Sequence, residues 1–211
     1  MTAHDPATAD QATAAPATAA PATTRPATAS PATASPATPS SAARGPAPRD
    51  EVAVRAARDA DVAGVCAFGE AHVRPHYAPL IGVAAADEQV RRWWNPPYVQ
   101  AAVAAGDVVV AEQGGRVVGV AQHGRAGPDH VVYKLYVAPD LRGSRLGPRL
   151  LAALVDRLPA DVDRLLVEHV AANRRAAAFY EREGFVLDRV DPHPSGDPAL
   201  ATVWRMRSLR G

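Results

Sequence analysis

Between Lys134 and Gly147 the chain reads KLYVAPDLRGSRLG, an apolar strand that breaks at Pro139 into a short loop of arginine and glycine and then enters a helix. A strand, a glycine-containing turn and a helix N-terminus together aim unpaired backbone N–H groups and a partial positive charge at one spot, which suits a pyrophosphate. Arg142 and Arg145 would add charge directly. By itself the pattern is not decisive, since a glycine turn before a helix is often only a turn and two arginines there can simply be solvated. The loop lacks the Gly-Lys-Ser/Thr ending of a P-loop and the three spaced glycines of a dinucleotide fingerprint, so nucleotide hydrolysis and hydride transfer have little support.

Other residues could do chemistry but lack companions. Cys66 is the single cysteine, on the apolar face of an expected helix with Val62, Val65 and Phe68, and no base for a nucleophilic thiol is identifiable. A structural thiol is the preferred reading. One cysteine also excludes an internal disulfide framework and fits a reducing, cytoplasmic compartment. His72 and His76 stand four apart, as a helical metal pair requires, but Pro75 between them should break the register and no third ligand follows. No metal is expected. Of Trp93 and Trp94, consecutive on a helix, only one can face the core, and the pair either lines a ligand pocket or caps the core.

The elements that must position these residues begin after an unusual tail. Residues Pro6 to Ser40 read as seven pentads, PATAD, QATAA, PATAA, PATTR, PATAS, PATAS and PATPS. Proline in nearly every unit removes helix donors, and Ala, Thr and Ser offer no large apolar surface to offset the entropy of ordering. Residues 1–48 are therefore expected to be a disordered Pro/Ala/Thr spacer, with a glycosylated stalk open on composition. The uninterrupted apolar run of a secretory signal is missing, and no run of about 18 apolar residues exists to span a membrane. A net charge of +1 supplies no field for nucleic acid. Lys134 is the only lysine among many arginines and alanines, a bias that suggests a GC-rich bacterial genome.

Residues 49–211 read as one folded domain. VAVRAA from Val52 is a first strand, Asp59 caps a helix from about Ala60 to Val73 that Pro75 ends, and Asp87 to Trp94 and Pro97 to Ala105 are further helices. Val108 to Glu112, the Gly114-Gly115 turn and Val117 to Gln122 make a hairpin, Gly124 to Pro128 is loop, and His130 to Val137 is a strand. Leu146 to Leu158 carries one apolar face of a helix; Leu165 to Val170, a helix from Asn173 to Glu183, Phe185 to Val190, a loop over Asp191 to Pro198 and a strand over Ala201 to Arg207 complete an α/β or α+β layer with a mixed sheet.

About 30 residues beyond the loop stands NRRAAAFYEREGF, Asn173 to Phe185. Joined to LYVAPDLRGSRLG, it resembles the GNAT superfamily of N-acetyltransferases, with both blocks in the family's order and spacing. The family's loop, Arg/Gln-x-x-Gly-x-Gly/Ala, is matched by Arg142 and Gly147. Its later block is matched by Asn173, Ala176, Tyr180, Gly184 and Phe185. The resemblance spans residues 50–208 and is strongest from 132 to 188. It implies a GNAT-type mixed, mostly antiparallel central sheet flanked by helices. It also implies that acetyl-CoA is the co-substrate. The backbones of Leu135 and Val137 would pair with its pantetheine arm where two strands splay, and amides of the loop Arg142, Gly143, Ser144, Arg145, Leu146 and Gly147 would hold its pyrophosphate. Asn173 would help place it, and Tyr180 would protonate the departing thiolate. Arg145 departs from the pattern by replacing the first loop glycine, so that position must avoid positive φ or accept strain. Pro148 removes one amide from the first turn, where proline is tolerated.

Attack by an amine needs a group that accepts a proton from the ammonium as well as one that supplies a proton to sulfur. Tyrosine suits the second task, being protonated at neutral pH. Glu168, twelve residues before Tyr180 on the preceding strand, is the chosen base, where protein N-terminal acetyltransferases of the superfamily carry a glutamate; a solvent-facing strand carboxylate is the competing reading. Glu112 and His123 are weaker candidates. The expected activity is acetyl transfer to a small-molecule amine or a peptide N-terminus by a monomer or homodimer, with the segment His72 to Tyr98 and the loop Asp191 to Pro198 walling the acceptor. Two alternatives stay open: a non-catalytic acyl-CoA-binding regulatory module of the same fold, and an interaction protein whose repeat tail is the working part.

Overall fold

The structure, a computed structural model, describes residues 51–210. The expected tail over 1–48 lies outside the described residues. Seven strands are present: β1 (Ala53–Ala56), β2 (Val108–Gln113), β3 (Arg116–Ala126), β4 (Asp129–Val137), β5 (Arg164–Val170), β6 (Val186–Asp191) and β7 (Thr202–Ser208). They form one sheet in the order β1-β2-β3-β4-β5-β7-β6, antiparallel throughout except where β4 meets β5. The mixed, mostly antiparallel sheet flanked by helices is thus present.

Helices α1 (Val62–Phe68), α2 (Arg74–Ile81), α3 (Val83–Trp93) and α4 (Pro96–Ala104) separate the first two strands, α5 (Leu146–Val155) follows the glycine loop, and α6 (Arg174–Arg182) links β5 to β6. The apolar stripe of α5, Leu146, Leu150, Leu151 and Leu154, is almost fully buried against the sheet. Its opposite number is β2, whose run Val108 to Ala111 is buried at every position, as a strand covered on both faces must be. Full burial of each leucine is worth about 1.5–3 kcal/mol, so this layer is what fixes the loop at the head of α5.

Three expectations are corrected. Asp61, not Asp59, closes the first helical turn: its carboxylate accepts from the Arg58 amide at 2.7 Å and from Arg55 Nη1 at 2.6 Å and Nη2 at 2.8 Å, while Arg55 also reaches Glu112 at 2.5 Å. Pro75 does not end the helix. Gly69–Val73 is a π-helical turn, and the wider turn just upstream lets the chain take a proline without the carbonyl clash that stops an ordinary helix, so α2 runs on to Ile81. Residues 124–126 are strand, because pairing of Gly124, Arg125 and Ala126 with Val131, His130 and Asp129 overrides their turn composition.

Candidate active site

The parallel contact of β4 with β5 is short. Only His130, Val131 and Val132 pair with Leu165, Leu166 and Val167; beyond them β4 continues to Val137, paired with β3 alone, and β5 continues to Val170, paired with β7. The strands splay, and the β5-facing backbone of residues 133–137 is left without a strand partner. A backbone edge of this kind accepts an extended amide-bearing chain as an added strand. A cavity of about 380 Å3 occupies the opening, with Leu135 and Val137 on one wall, Glu168 and His169 on the other, and the glycine loop at one end.

At that end, Arg142, Gly143, Arg145, Leu146 and Gly147 all line the cavity. The first-turn amides of Leu146 and Gly147 have no intrahelical acceptor, and Pro148 removes only a donor that would have been orphaned anyway. Gly147 admits a close neighbour: a Cβ there would stand 3.0 Å from Phe179 Cε2. Arg145 takes the strained alternative. Its φ of 63° makes it the one non-glycine residue at positive φ among the described residues, at a cost of about 1 kcal/mol. Arg142 donates from Nε to the Val137 carbonyl at 3.3 Å, closing the end of β4, and burial together with the nearby Arg175 guanidinium lowers its pKa. Neither Arg142 nor Arg175 has an acidic partner among the described residues, so both guanidinium groups are free to pair with an anion. The residues present fit a pyrophosphate. Ser144 is the exception in the loop. Its hydroxyl donates to the Leu141 carbonyl at 2.7 Å, and it does not line the cavity.

The two proton-handling candidates meet in this cavity. Tyr180 on α6 is buried, its ring flanked by Phe179, Phe185 and the stacked imidazole of His169, and its hydroxyl has no hydrogen-bond partner among the described residues. Burial raises its pKa, so the phenol keeps its proton. Glu168, on β5, has no hydrogen bond or ion pair among the described residues either. Burial pushes its carboxyl up to about 7, with Arg189 opposing and Asp191 reinforcing the rise. Alternation on β5 turns His169 toward α6 and Glu168 to the opposite face, so the opening connects both sides of the sheet.

Asn173 has a different task from placing a cofactor alone. Its Oδ1 accepts from the Ala176 amide at 3.1 Å as the cap of α6, and its Nδ2 lies 3.4 Å from His76 Nε2 on α2. The cavity is also walled by tyrosines that no motif marked: Tyr136 donates to Tyr77 at 3.2 Å, and Tyr133 borders Glu168. Of the segment His72 to Tyr98, only His76 and Tyr77 line the cavity. Trp94 is buried in the core, Trp93 packs on Tyr98, and neither they nor the loop Asp191 to Pro198 line the cavity. Glu112 is held by Arg55, and His123 lies by Asp107 with its pKa pushed down to about 4 by burial; both stand off the cavity. Burial raises the Cys66 thiol pKa, which keeps it an inert thiol. Lys134 turns away from the cavity, its ammonium bonded to Gln122 Oε1 and lying 4.4 Å from the Tyr98 ring centre and 5.1 Å from that of Trp94, with a pKa lowered to about 7 by burial. Among the described residues no three His, Cys, Asp or Glu side chains form a group that could hold a metal ion. No described helix is long and apolar enough to cross a membrane.

No curated protein matches the chain in sequence. Residues 104–187, from the end of α4 into β6, match the family model described as acetyltransferase (GNAT) domain. Solved structures share the fold. PaiA N-acetyltransferase from Thermoplasma acidophilum, in complex with coenzyme A, is 12% identical with a TM-score of 0.62, over 75% of this chain and 99% of that one. A ribosomal-protein-alanine N-acetyltransferase from Brucella melitensis is 24% identical with a TM-score of 0.57, over 74% and 99%. YncA from Salmonella typhimurium, with acetyl-CoA, is 21% identical with a TM-score of 0.55, over 77% and 96%. The matched segment contains the splayed strands, the glycine loop and α6.

Proposed function

We propose that the protein is an acetyl-CoA-dependent N-acetyltransferase that moves the acetyl group to a primary amine, of a small molecule or a peptide N-terminus, by direct attack. The observation that carries this reading is the splay of β4 from β5, which opens an unpaired backbone edge between an anion-binding loop at one end and two unpartnered proton-handling side chains. Coenzyme A is the ligand whose parts fit in that order, with pyrophosphate amides at Leu146 and Gly147, charge from Arg142 and Arg175, and a pantetheine arm along Leu135 and Val137.

Glu168, with a pKa of about 7, can accept a proton from an ammonium group near neutrality. As the nitrogen forms its bond to the acetyl carbon, the carbon–sulfur bond breaks and the Tyr180 phenol supplies the proton the departing thiolate needs. The first ammonium proton resides on Glu168 and is returned to solvent, and the second, shed by the nitrogen as the amide forms, restores the proton that Tyr180 gave to sulfur. The relatives bound to coenzyme A and to acetyl-CoA support the choice of donor. The single cysteine supports a reducing, cytoplasmic setting.

Thiol release from acetyl-CoA across a panel of amines tests the proposal. Amine-dependent release that Tyr180→Phe abolishes while coenzyme A binding persists is the expected result. Tight binding of coenzyme A, no release with any amine and indifference to Tyr180→Phe would overturn it in favour of a non-catalytic acyl-CoA-binding module.

A further inference from the structure

Four large apolar side chains are more than half exposed among the described residues, and three of them, Val186, Leu187 and Val190, belong to β6. This strand ends the sheet, pairs only with β7 and is exposed at all six positions. An unpaired edge with apolar side chains is a template for another strand.

We propose that β6 is the surface on which two copies of this chain associate, edge to edge and antiparallel, about a two-fold axis between Asp188 and Arg189. In that register four of the six positions of VLDRVD face a complementary residue of the reversed strand. Asp188 meets Arg189 of the partner subunit, Leu187 meets Val190 of the partner subunit, and Val186 meets Asp191 of the partner subunit. Side-chain direction agrees with this pairing. Leu187 and Val190 stand opposite Arg205 and Val203 on one face, whereas Val186 and Asp191 stand opposite Met206 and Thr202 on the other. A bulge and charges commonly guard an edge against such pairing. Here Asp188 is the residue displaced from the β7 ladder, and Arg189 pairs within its own chain with Asp188 at 3.0 Å and Asp191 at 3.5 Å; because the charges at 188 and 189 are opposite in sign across the axis, that pair can be exchanged between copies, which favours one register and one partner. The pairing is isologous, which closes the assembly at two copies. Six residues a side place it at the small end of interfaces, the class of weak, concentration-dependent association. The contact reaches the cavity through Arg189, which lies 4.1 Å over the Trp204 ring and whose charge lowers the pKa of Glu168.

Sedimentation of the full chain tests the interface. The wild type is expected to pass from one to two copies of 22.0 kDa as micromolar concentration rises. Because symmetry counts each change twice, Asp188→Arg or Arg189→Asp alone should each weaken association about tenfold, with like charges facing across the axis. Mixing the two variants should restore it as a heterodimer, in which both cross-axis pairs are again opposite in charge. Arg189→Asp also removes the stack on Trp204; should it fail to fold, Leu187→Glu mixed with Val190→Lys poses the same question. A wild type that stays monomeric, a dimer indifferent to all four changes, or variants that weaken association without recovery on mixing would overturn the proposal.

Discussion

Glu168 and Lys134 are ionisable groups pushed from opposite directions to about 7, one on each side of the splayed strands. Burial is the cause in both, yet the surroundings differ. Lys134 is caged by Gln122, Trp94 and Tyr98 and does not face the cavity, whereas Glu168 has no partner among the described residues and does. A displaced pKa therefore does not mark the chemistry by itself. Access and a vacant coordination sphere separate a proton carrier from a structural charge.

The largest test of that distinction is kinetic. Tyr180→Phe and Glu168→Gln should each lower kcat by about a hundredfold or more, the usual worth of a positioned acid or base, and Glu168→Gln should erase the limb of the kcat/KM profile that rises through about pH 7. Lys134→Met should keep both that limb and most of the rate; an equal loss would break the comparison. Next in size is Gly147→Val, whose side chain would run into Phe179. It should raise the KM for acetyl-CoA by about tenfold or more while the pH limb stays, because cofactor seating and proton transfer are separate tasks.

Stability should titrate in opposite senses at the two positions. Glu168 has a folded pKa raised from 4.5 to about 7, so between those values the unfolded chain gives up a proton that the folded one keeps, and stability falls as pH rises. The Tm advantage of Glu168→Gln should accordingly grow from about pH 4.5 to about 7 and then level off. Lys134 has a folded pKa lowered from 10.5 to about 7, so its penalty is complete below about pH 7 and fades as pH rises toward 10.5. The Tm difference between Lys134→Met and wild type should shift in favour of wild type over that window. Parallel pH slopes for the two variants would contradict the assignment of both shifts to burial. The smallest effect belongs to Arg145→Gly, which relieves the positive φ and should raise Tm by roughly 2–4 °C, at about 1 kcal/mol.

Much of the site was legible because it is local. The Arg142 to Gly147 loop and the Asn173 to Phe185 block each lie within one stretch of chain, where turn chemistry and helix spacing speak directly. What sequence missed arises from convergence. Tyr77 and Tyr136 are 59 positions apart and meet only because α2 packs over β4, and the His76 contact with Asn173 spans 97. Tyr133 and Tyr136, flanking Leu135 on β4, were the available signal. The errors share a cause, since a π-turn before Pro75 and the pairing of residues 124–126 are both tertiary adjustments that composition cannot register. Ser144 is set apart by a local bond, its hydroxyl being satisfied within its own turn.

Three residue pairs are all that join β4 to β5, so the sheet is mechanically two plates on a short weld. One plate carries the glycine loop and the other carries Glu168. A molecule laid along the seam would add rungs where the chain supplies none, and the stiffness gained would appear as slowed amide exchange spreading from residues 133–137 into both plates.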